Sequence, residues 1–574
     1  MRIAAILFAL AFTAVTSTAH AATIVVGATD DGGQNCTLRD ALRTAQNAPS
    51  YAGIGGCSAG SAGVDTIMLG AGTYQLGIGG MFEDNAEAGD LDIREDVEIV
   101  GAGPSSTTID AQGIDRAFHL PVAGVQGTLR QLSIVNGNPG QDDGGGVLVA
   151  QGAILSMADA RVASCQSYLG GGGIDSLGMM TLERVILEGN STENDGGFRC
   201  LTTCVGSVTD VIVRNNTATG LVGGGAGAAG SLTAIRTQII DNVHTGPLGA
   251  GGFSALQVSG GNNTITFIDS VIARNTTAGE GGGFRVGTIG GLFDGNPNVT
   301  LINTTIANNQ GGQGGGLSIV AGQATLSNVT ITDNTAATSG GGVWRQNGAL
   351  RMRNSIVARN AGPGPDCSGQ IDSLGYVLVA NGAGCTVSGG NGNLVGDAPP
   401  IDAMLGTLGD FGGGTLTVPL LPGSPALDSG DPAGCTANGQ PLITDQRGSP
   451  RPSGAACDRG AYELQDGPAR DAGVRDANAT IDAGPPRDGG PVDPNRDGGP
   501  ARDSGASPAD DGGINDASVR DGGPPPDAGE SIDETPEPRE AEDEGCSCTA
   551  TTGATSNAWL ACALLAWALL RRRR

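Results

Sequence analysis

The chain contains little of the material that most enzymes use for catalysis. Lysine is absent, so arginine carries all of the side-chain positive charge apart from histidine, and the formal net charge is −28. That charge argues against nucleic acid and anionic membrane surfaces as partners. Aromatic residues make up only 3% of the chain, which leaves few rings for stacking on sugars. Only His119 and His244 follow the predicted signal peptide, leaving little for histidine-based catalysis or zinc binding, and we predict no metal and no cofactor.

The N-terminus predicts export. Arg2 gives a positive start, Ile3 to Val15 an apolar stretch, and Ala19-His20-Ala21 a small-x-small cleavage site. We therefore interpret residues 1–21 as a signal peptide, followed by a chain for an oxidising compartment. Eight cysteines fall at short separations that could form four local disulfides. The predicted pairs are Cys36/Cys57, Cys200/Cys204, Cys367/Cys385 and Cys435/Cys457.

Glycine is abundant, at 101 of 574 residues, and it recurs in a pattern. Pairs or triplets followed by one apolar residue repeat from GGGV at 144–147 to GGGV at 340–343, and short alternating apolar stretches closed by asparagine lie between them. The closing residues, 25 to 34 positions apart, predict a ladder of stacked side chains. Its members are Asn138, Cys165, Asn190, Asn215, Asn242, Asn275, Asn309, Asn334 and Asn360.

About 25 residues accommodate three short strands and three turns. In the coil that begins at Gly316, the strands would be LSIV, ATLS and VTIT, with side chains alternating inward and outward. One such coil cannot bury its inner face alone, so neighbouring coils must stack, and this predicts an all-β, parallel β-helix over residues 66–365. A propeller would need blades of about 40–45 residues, and a sandwich would show two-residue Asn-Gly hairpin turns. Neither pattern dominates.

Cys165 takes an asparagine position in this ladder. It could be a reactive thiol or a small buried residue that fills the stack. We favour the second interpretation, because no basic neighbour in sequence would lower its pKa.

The start of the mature chain resembles a known module. Residues 22–48, with CTLRDA at 36–41, resemble the N-terminal module named after its CSLREA motif, and GDLDIREDVEIVGAGPSSTTIDAQG at 89–113 looks like the first coils of the right-handed parallel β-helix proteins that carry it. The resemblance implies an N-terminal cap over 22–65. LRDALRTA has helical spacing and is predicted to plug the open end of the solenoid.

A second resemblance covers residues 366–465. LPGSPALDSGDPAGC at 421–435, TDQRGSPRP at 444–452 and CDRGAYE at 457–463 are similar to the choice-of-anchor Q region of bacterial surface proteins, which implies a cap between a β-helix and an anchor, without catalysis. Its aspartates could gather around calcium or pair with its arginines, and we favour pairing. These residues are Asp428, Asp431, Asp445 and Asp458, with Arg447, Arg451 and Arg459.

The remaining chain predicts a spacer and an anchor. Residues 466–544 are rich in Asp, Gly, Pro and Ala and have almost no large apolar residues, so we expect a disordered linker. Residues 545–574 resemble the C-terminal sorting signal typical of myxobacteria, with Cys546 and Cys548 at the processing positions, then a hydrophobic helix and four arginines. The helix could span a membrane, with the arginines on the cytoplasmic side and the body outside.

Sequence reasoning leaves two functions open. Carboxylates that could serve a polysaccharide lyase or glycoside hydrolase exist, but their spacing places no pair on equivalent strands of adjacent coils beyond chance. The carboxylates considered are Asp142, Asp143, Asp175, Glu183, Glu188, Glu193 and Asp195. We therefore expect a non-catalytic adhesion, recognition or matrix module that binds glycans or envelope components at the cell surface, with a surface-displayed polysaccharide-degrading enzyme as the alternative.

Two long ladder steps predict where a partner binds. The extra residues fall in VSGGNN at 258–263 and GTIGGLFDGNPN at 287–298, both in the connection between the first and second strands of successive coils. Insertions on one flank of a solenoid often mark its binding surface, although long loops also drift freely. The predicted contact residues are Leu292, Phe293, Asp294 and Asn296.

Overall fold

The computed structural model describes residues 21–32, 35–47, 49–80, 83–258, 261–288 and 295–465. Each strand of a coil pairs in register with the equivalent strand of the next coil, and these pairings are parallel. In the coil after Gly316 the strands are Leu317–Ile319, Gln323–Ser327 and Thr330–Thr332, as the alternation predicted. The prediction of a parallel β-helix is therefore confirmed.

Three long faces run along the solenoid. The first face begins each coil after the glycine run, and its strands are Leu91–Asp92, Phe118–Leu120, Val147–Val149, Ile174–Ser176, Phe198–Cys200, Ala226–Ala228, Phe253–Ala255, Phe284–Val286, Leu317–Ile319, Val343–Arg345 and the start of Cys367–Gly375. The strands of the second face are Thr23–Val25, Asp65–Met68, Val97–Val100, Gln126–Arg130, Val205–Thr209, Ser231–Ile235, Thr264–Ile268, Asn298–Ile302, Gln323–Ser327, Ala349–Arg353, Cys367–Gly375 and Cys385–Ser388.

The third face follows the second across a tight corner. Two strands, Ile154–Ala163 and Met179–Glu188, cross that corner and belong to both faces. The other strands of the third face are Gly72–Gln75, Thr107–Asp110, Ser133–Val135, Ile212–Arg214, Gln238–Ile240, Val271–Ala273, Thr305–Ala307, Thr330–Thr332, Ile356–Ala358, Leu378–Val379 and Leu394–Val395. A short fourth sheet completes the coils, with strands Ser191–Thr192, Thr217–Ala218, Val243–His244, Thr276–Thr277, Gln310–Gln313 and Thr335–Ser339.

Alternation along each strand builds the core. In the three-residue strands of the first face, the outer two side chains point inward and the middle one points outward; Phe284 and Val286 are fully buried in the core around the outward Arg285. Three phenylalanine rings pack together in the core: the centroid of Phe253 lies 4.9 Å from that of Phe267, edge to face, and 5.1 Å from that of Phe284. Burial of such apolar surface is the main force that holds stacked coils together.

The glycine runs allow neighbouring coils to approach at the entry to the first face. A Cβ atom on Gly282 would lie 2.3 Å from the carbonyl oxygen of Gly315 in the next coil, closer than any side chain tolerates. Gly281 before it has a φ of 74°, a left-handed conformation that glycine adopts without steric cost. Close packing and left-handed backbone together explain why this position repeats as glycine.

A column of buried asparagines closes the third face. In each coil the backbone N–H and the side-chain amide of one asparagine donate to Oδ1 of the asparagine in the next coil, with distances of 3.0 Å between Asn242 and Asn275. The column consists of Asn190, Asn216, Asn242, Asn275, Asn309, Asn334 and Asn360. It ends at Asp366, whose carboxylate accepts from Asn360. At the other end, Asn190 accepts from the backbone of Cys165.

Two predicted ladder members lie outside this column. Asn216, not Asn215, provides the stacked side chain, while Asn215 is exposed and has a φ of 54°. Asn138 instead accepts from the backbone of Gly140 in a turn. The left-handed residue thus precedes the stacked one, so an asparagine that tolerates this backbone shape is easily mistaken for its neighbour.

The four predicted disulfides are present, between Cys36 and Cys57, Cys200 and Cys204, Cys367 and Cys385, and Cys435 and Cys457. Cys165 is the free, buried cysteine of the described residues. Burial raises the pKa of its thiol to about 12, which agrees with the interpretation as a filler of the stack.

The described part of residues 22–65 contains the strand Thr23–Val25 and one helix, Leu38–Ala45, which is capped by the Thr37 side chain accepting from the backbone of Asp40. The helix buries Leu38, Ala41 and Leu42 against the first strands of the second face. Among the described residues, no helix is long and apolar enough to cross a membrane. The signal peptide, apart from Ala21, the linker and the sorting signal lie outside the described residues.

The C-terminal region has two parts. Residues 367–395 extend the solenoid, because Cys367–Gly375 and Cys385–Ser388 add parallel strands to it. Residues 401–465 then run back along its side, which they bind through hydrogen bonds between residues 104 to 176 positions apart in sequence. The contacts are Gln238 to Gly414, Thr415 to Asp269, Gln446 to Thr305, Thr444 to Asn303 and Asp458 to Asn354. We call residues 401–465 the side strap.

Candidate functional site

The outward middle residues of the first face form one continuous row, which we call the outer row. Strand register places consecutive members on adjacent coils. From the N-terminal end the members are Asp92, His119, Leu148, Asp175, Arg199, Gly227, Ser254, Arg285, Ser318, Trp344 and Ser368. Titratable and polar groups dominate the row, as expected for side chains that point away from the apolar core.

His119 and Asp92 form a dyad at the N-terminal end of the outer row. Nδ1 of His119 lies 3.1 Å from Oδ1 of Asp92. The Asp92 side chain is fully buried, while that of His119 is 15% exposed. A carboxylate can only accept, so Nδ1 donates its hydrogen to Asp92 and Nε2 of the neutral ring carries a lone pair. This arrangement is that of a histidine general base held in one tautomer by an acid.

The N-terminal module holds the acid of this dyad in place. The other oxygen of Asp92 accepts from the backbone of Ala86 at 2.9 Å. Arg39 of the helix donates to the carbonyl oxygens of Ala86, Gly89 and Asp90, and a buried ion pair with Asp31 fixes Arg39 itself. Three carbonyls bound by one guanidinium constrain the 86–90 segment, so the helix positions Asp92 through the loop.

Asp84 and Arg94 flank the dyad on its solvent side. An Asp84 carboxylate oxygen lies 3.5 Å from Nδ1 of His119, and its side chain is 65% exposed. Arg94 is exposed and donates to the backbone carbonyl of Asp84 at 2.8 Å and to the Asn85 side chain. Arg94, which is exposed, and His119, which is partly exposed, therefore both contact Asp84.

Two buried arginines neutralise most of the nearby acids. Arg116 donates to Asp90 at 2.9 Å and to Asp142 at 2.7 Å. Burial raises the pKa of Asp90 to about 8, against the opposing charge of Arg116. Burial also raises the pKa of Asp115, which lies in the same cluster. These groups form a largely buried charge cluster beside the dyad.

The second buried arginine is Arg199. It makes a two-pronged pair with Asp175 at 2.9 and 2.8 Å, and it lies 3.1 Å from Asp143. Asp195 lies close to this cluster, is almost completely buried, and accepts from the backbone of Gly223. Burial raises the pKa of Asp195 to about 7.

The sequence-predicted carboxylates therefore fall into separate groups. Asp142, Asp143, Asp175 and Asp195 lie near the first face but are engaged as described. Glu183 pairs with Arg184 on the second face, and Glu188 bridges Arg161 and Arg214 on the third. Glu193 follows the fourth-sheet strand Ser191–Thr192, and its backbone carbonyl accepts from Gly220. Sequence spacing cannot show this, because side chains from one coil diverge to different faces.

The aspartates of the side strap do not converge on one point. Asp445 pairs with Arg447, Asp431 pairs with Arg353 of the solenoid, and the Asp428 side chain accepts from the backbone of Ala456. Arg451 lies 3.3 Å from Glu463, both without exposure, whereas Arg459 donates to Ser429 and to backbone carbonyls. Asp445 thus pairs with a strap arginine as predicted. Asp431 instead pairs with an arginine of the solenoid, and Asp428 with a backbone N–H.

Three ligand atoms suited to a metal ion lie together at the dyad. One atom each from Asp84, Asp92 and His119 falls within 4.8 Å of the others. Oxygen and imidazole ligands suit zinc and other divalent transition metals. The group formed by Cys435, Cys457 and Glu463 does not fit a metal, because its two sulfurs are joined in a disulfide.

The predicted binding loop is described in part. Both insertions connect first-face to second-face strands, and the backbone of Gly295 donates to the Gln257 carbonyl at 2.9 Å, so the loops are adjacent. Asn296 is exposed. Leu292, Phe293 and Asp294 lie outside the described residues, as do the anchor residues Cys546 and Cys548. Their role remains a prediction.

Sequence reasoning missed the dyad because it discounted histidine for its rarity. The available signal was positional: Asp92 and His119 are the middle residues of two first-face strands and pair directly in the parallel register. An Asp and a His at equivalent positions of successive coils must be neighbours. Finding them required the strand boundaries of the first coils, which lack the glycine triplets.

No protein-family model matches the chain, and no curated protein matches it in sequence. The resemblances to the CSLREA module, the choice-of-anchor Q region and the sorting signal therefore stay predictions. Among solved structures, the A-module of mannuronan C-5 epimerase AlgE6 from Azotobacter vinelandii is similar at 16% identity and a TM-score of 0.42, over 64% of this chain and 97% of that one. The AlgE4 A-module of the same organism is 14% identical with a TM-score of 0.38, over 64% of this chain and 95% of that one. Pectate lyase Pel9A is 15% identical with a TM-score of 0.32, over 70% of this chain and 89% of that one. Such values carry no argument about function, and the fold assignment stands on the strand pairing of the chain itself.

Proposed function

We propose that this chain binds an acidic polysaccharide across the N-terminal end of the outer row and cleaves it by elimination, with His119 as the base. The observation that carries the proposal is the dyad: an accessible imidazole whose Nδ1 is held by a buried carboxylate. This corresponds to the alternative function left open by the sequence. Fold alone would not support it, since parallel β-helices serve many purposes.

The reaction needs a base and a means to stabilise negative charge. Nε2 of neutral His119 takes the proton from the carbon next to the sugar carboxylate. The electron pair forms a carbon–carbon double bond, the bond to the glycosidic oxygen breaks, and that oxygen leaves with a proton from water. Asp92 stabilises the imidazolium that forms.

Arg94 favours an acidic sugar as the substrate. Arg94 and His119 both contact Asp84, so a carboxylate bound by Arg94 would lie near the imidazole ring. Its guanidinium can bind a carboxylate through two hydrogen bonds, and it would also stabilise the negative charge that develops there during proton removal. The buried Arg116 and Arg199 are already occupied by aspartates and cannot do this.

A glycoside hydrolase fits the site less well. It needs two carboxyl groups that both reach the sugar. Asp84 and Asp92 approach each other closely enough, but the Asp92 side chain has no exposure and its two oxygens are taken by His119 and Ala86.

A binding module without turnover is the second candidate. It is favoured by the ion pairs that Arg116 and Arg199 make with aspartates, which are typical of a structural charge network. Under this function, the same surface recognises a glycan and His119 only contributes a hydrogen bond.

The test uses the chain from Ala22 onward, incubated with alginate, pectate and a neutral glucan. Release of unsaturated products, followed by ultraviolet absorbance, from an acidic polymer and its loss in His119→Gln would support elimination. The control is Asp159→Asn, a partly exposed acid that pairs with Arg184 away from the first face; asparagine also suits its left-handed backbone. Binding without product by wild type would support the second candidate. Neither binding nor product would contradict both.

For display, we propose that the chain is exported and held at the cell surface by its C-terminal segment. The support is the sequence pattern alone: a signal peptide, a polar spacer and a hydrophobic segment with two cysteines and four arginines. Truncation after Asp543 should release the protein into the medium with its circular dichroism unchanged. Retention on cells would show that another part of the chain holds it, and Cys546→Ala with Cys548→Ala tests processing separately.

A further inference from the structure

We infer that the middle of the outer row contains a small-anion site formed by Ser254, Arg285 and Ser318. These are the outward residues of three successive strands, Phe253–Ala255, Phe284–Val286 and Leu317–Ile319, so Arg285 has one serine on each side. Neighbouring parallel strands lie about 4.8 Å apart, so each serine lies directly beside Arg285 and the two serines, roughly 10 Å apart, flank it. The site is separate from the dyad and does not rest on the proposed function.

Each of the three residues has a buried polar atom without a partner. Within the part of the chain that the structure describes, nothing accepts from or donates to Ser254 Oγ, Arg285 Nη1 or Ser318 Oγ. The residues are 1%, 2% and 0% exposed. An unsatisfied buried polar group is destabilising, most of all on a charged side chain, so the free Nη1 of Arg285 with an unsatisfied serine hydroxyl on either side indicates a missing partner.

The donors decide the class of that partner. Nη1 of Arg285 can only donate, and serine hydroxyls rotate to donate, so the group between them must accept several hydrogen bonds. The rest of the guanidinium is already fixed: Nε donates to Glu280 at 3.0 Å and Nη2 to the Thr288 carbonyl at 2.6 Å. A chloride or a carboxylate of formate size fits these requirements, and the near absence of exposure excludes a sugar chain.

The surrounding charges set how strongly such an anion would bind. Glu280 balances the charge of Arg285, and His244 stays neutral near it because burial lowers its pKa to about 4. Asp195 lies over Gly227, the next outer-row position beyond Ser254. Two acids in the vicinity predict modest affinity and selectivity for a small monovalent anion over sulfate.

The experiment measures thermal unfolding of the chain from Ala22 onward in sodium chloride, bromide or gluconate at constant ionic strength. Halide at about 100 times its dissociation constant should raise the midpoint by about 1–3 °C relative to gluconate, because a ligand stabilises the state that binds it. The double variant Ser254→Ala/Ser318→Ala should lose this difference. So should Arg285→Gln with Glu280→Gln, which keeps the site neutral overall.

Ser368→Ala is the matched control, since Ser368 belongs to the same row two strands beyond Ser318, and it should respond like wild type. Equal midpoints in halide and gluconate for wild type, or an equal response in every variant, would overturn the site. Crystals grown in bromide should show anomalous scattering at Nη1 of Arg285, and an ordered water there instead would also overturn it.

Discussion

The side-chain amide of Asn216 donates to Oδ1 of Asn242 at 3.0 Å, whereas Asn215 beside it lies on the surface in a left-handed conformation. Oδ1 of Asn216 in turn accepts from both the backbone and the side chain of Asn190. Two adjacent asparagines thus have different physical roles.

These roles predict different losses of stability. Asn216→Ala should lower the free energy of unfolding by roughly 3–5 kcal/mol, because it leaves several buried hydrogen-bonding groups without partners. Asn215→Ala should cost only about 1 kcal/mol, the penalty for alanine in a left-handed backbone. Denaturant midpoints of the two variants, with Asn215→Gly as the unstrained control, check this. Equal losses would show that the column runs through the wrong residue.

Under the proposed elimination, the dyad predicts a loss of turnover without an equal loss of binding. In Asp92→Asn, the amide can donate to Nδ1 and stabilise the tautomer with hydrogen on Nε2. Nε2 then has no lone pair with which to accept the proton. Turnover of an acidic polysaccharide should fall by roughly 10²–10⁴-fold while KM changes little. Asp84→Asn should have a smaller effect, because Asp84 is exposed and its carboxylate is farther from the imidazole. Rates measured beside thermal midpoints separate this effect from unfolding.

Buried acids predict a pH dependence of stability. Burial raises the pKa of Asp90 to about 8 and of Asp195 and Glu463 to about 7, so between pH 6.5 and 8.5 the folded state binds more protons than the unfolded state. Their contribution is fully present below the unfolded pKa and is lost as pH rises through the folded value. His244, whose folded pKa is lowered to about 4, contributes oppositely, but only below its unfolded pKa near 6.5.

The melting temperature should therefore fall from pH 6.5 to 8.5. Asp195→Asn should flatten the slope, because the amide does not titrate, and Asp402→Asn on the exposed surface should leave the slope unchanged. A melting temperature that rises over this range would contradict the assignment.

Cys165 should be unreactive in the folded protein. Its thiol is 1% exposed and its pKa is raised to about 12 by burial, so almost no thiolate exists at neutral pH. A thiol reagent should label the cysteine only at the rate of unfolding and rapidly in denaturant, measured by mass spectrometry of the 150–180 region. Fast labelling of native protein would restore the reactive-thiol interpretation.

Removal of the side strap should destabilise the solenoid. Leu405, Val418 and Leu420 of the strap share an apolar cluster with Val271 and Ile356 of the third face, which would become exposed. A chain ending at residue 400 should unfold at lower temperature and bind a hydrophobic dye. Unchanged unfolding would show that the strap is only attached to the solenoid, not required by it.

The sequence by itself determined the fold class and the strands of the regular coils. Glycine runs, asparagine closures and alternating apolar residues repeat at similar intervals, and a coil of that length has to stack to bury its inner face. Short separations in sequence made the four cysteine pairs an expectation, and the folded chain brings each pair together.

Only the tertiary structure decided which side chains meet across coils. The choice between Asn215 and Asn216 depends on one residue of register, and a shift of one residue exchanges a buried position for an exposed one. The pairing of Asp92 with His119 depends on early coils that lack the glycine signature. The path of residues 401–465 along the side depends on contacts more than 100 positions apart, which no local pattern encodes.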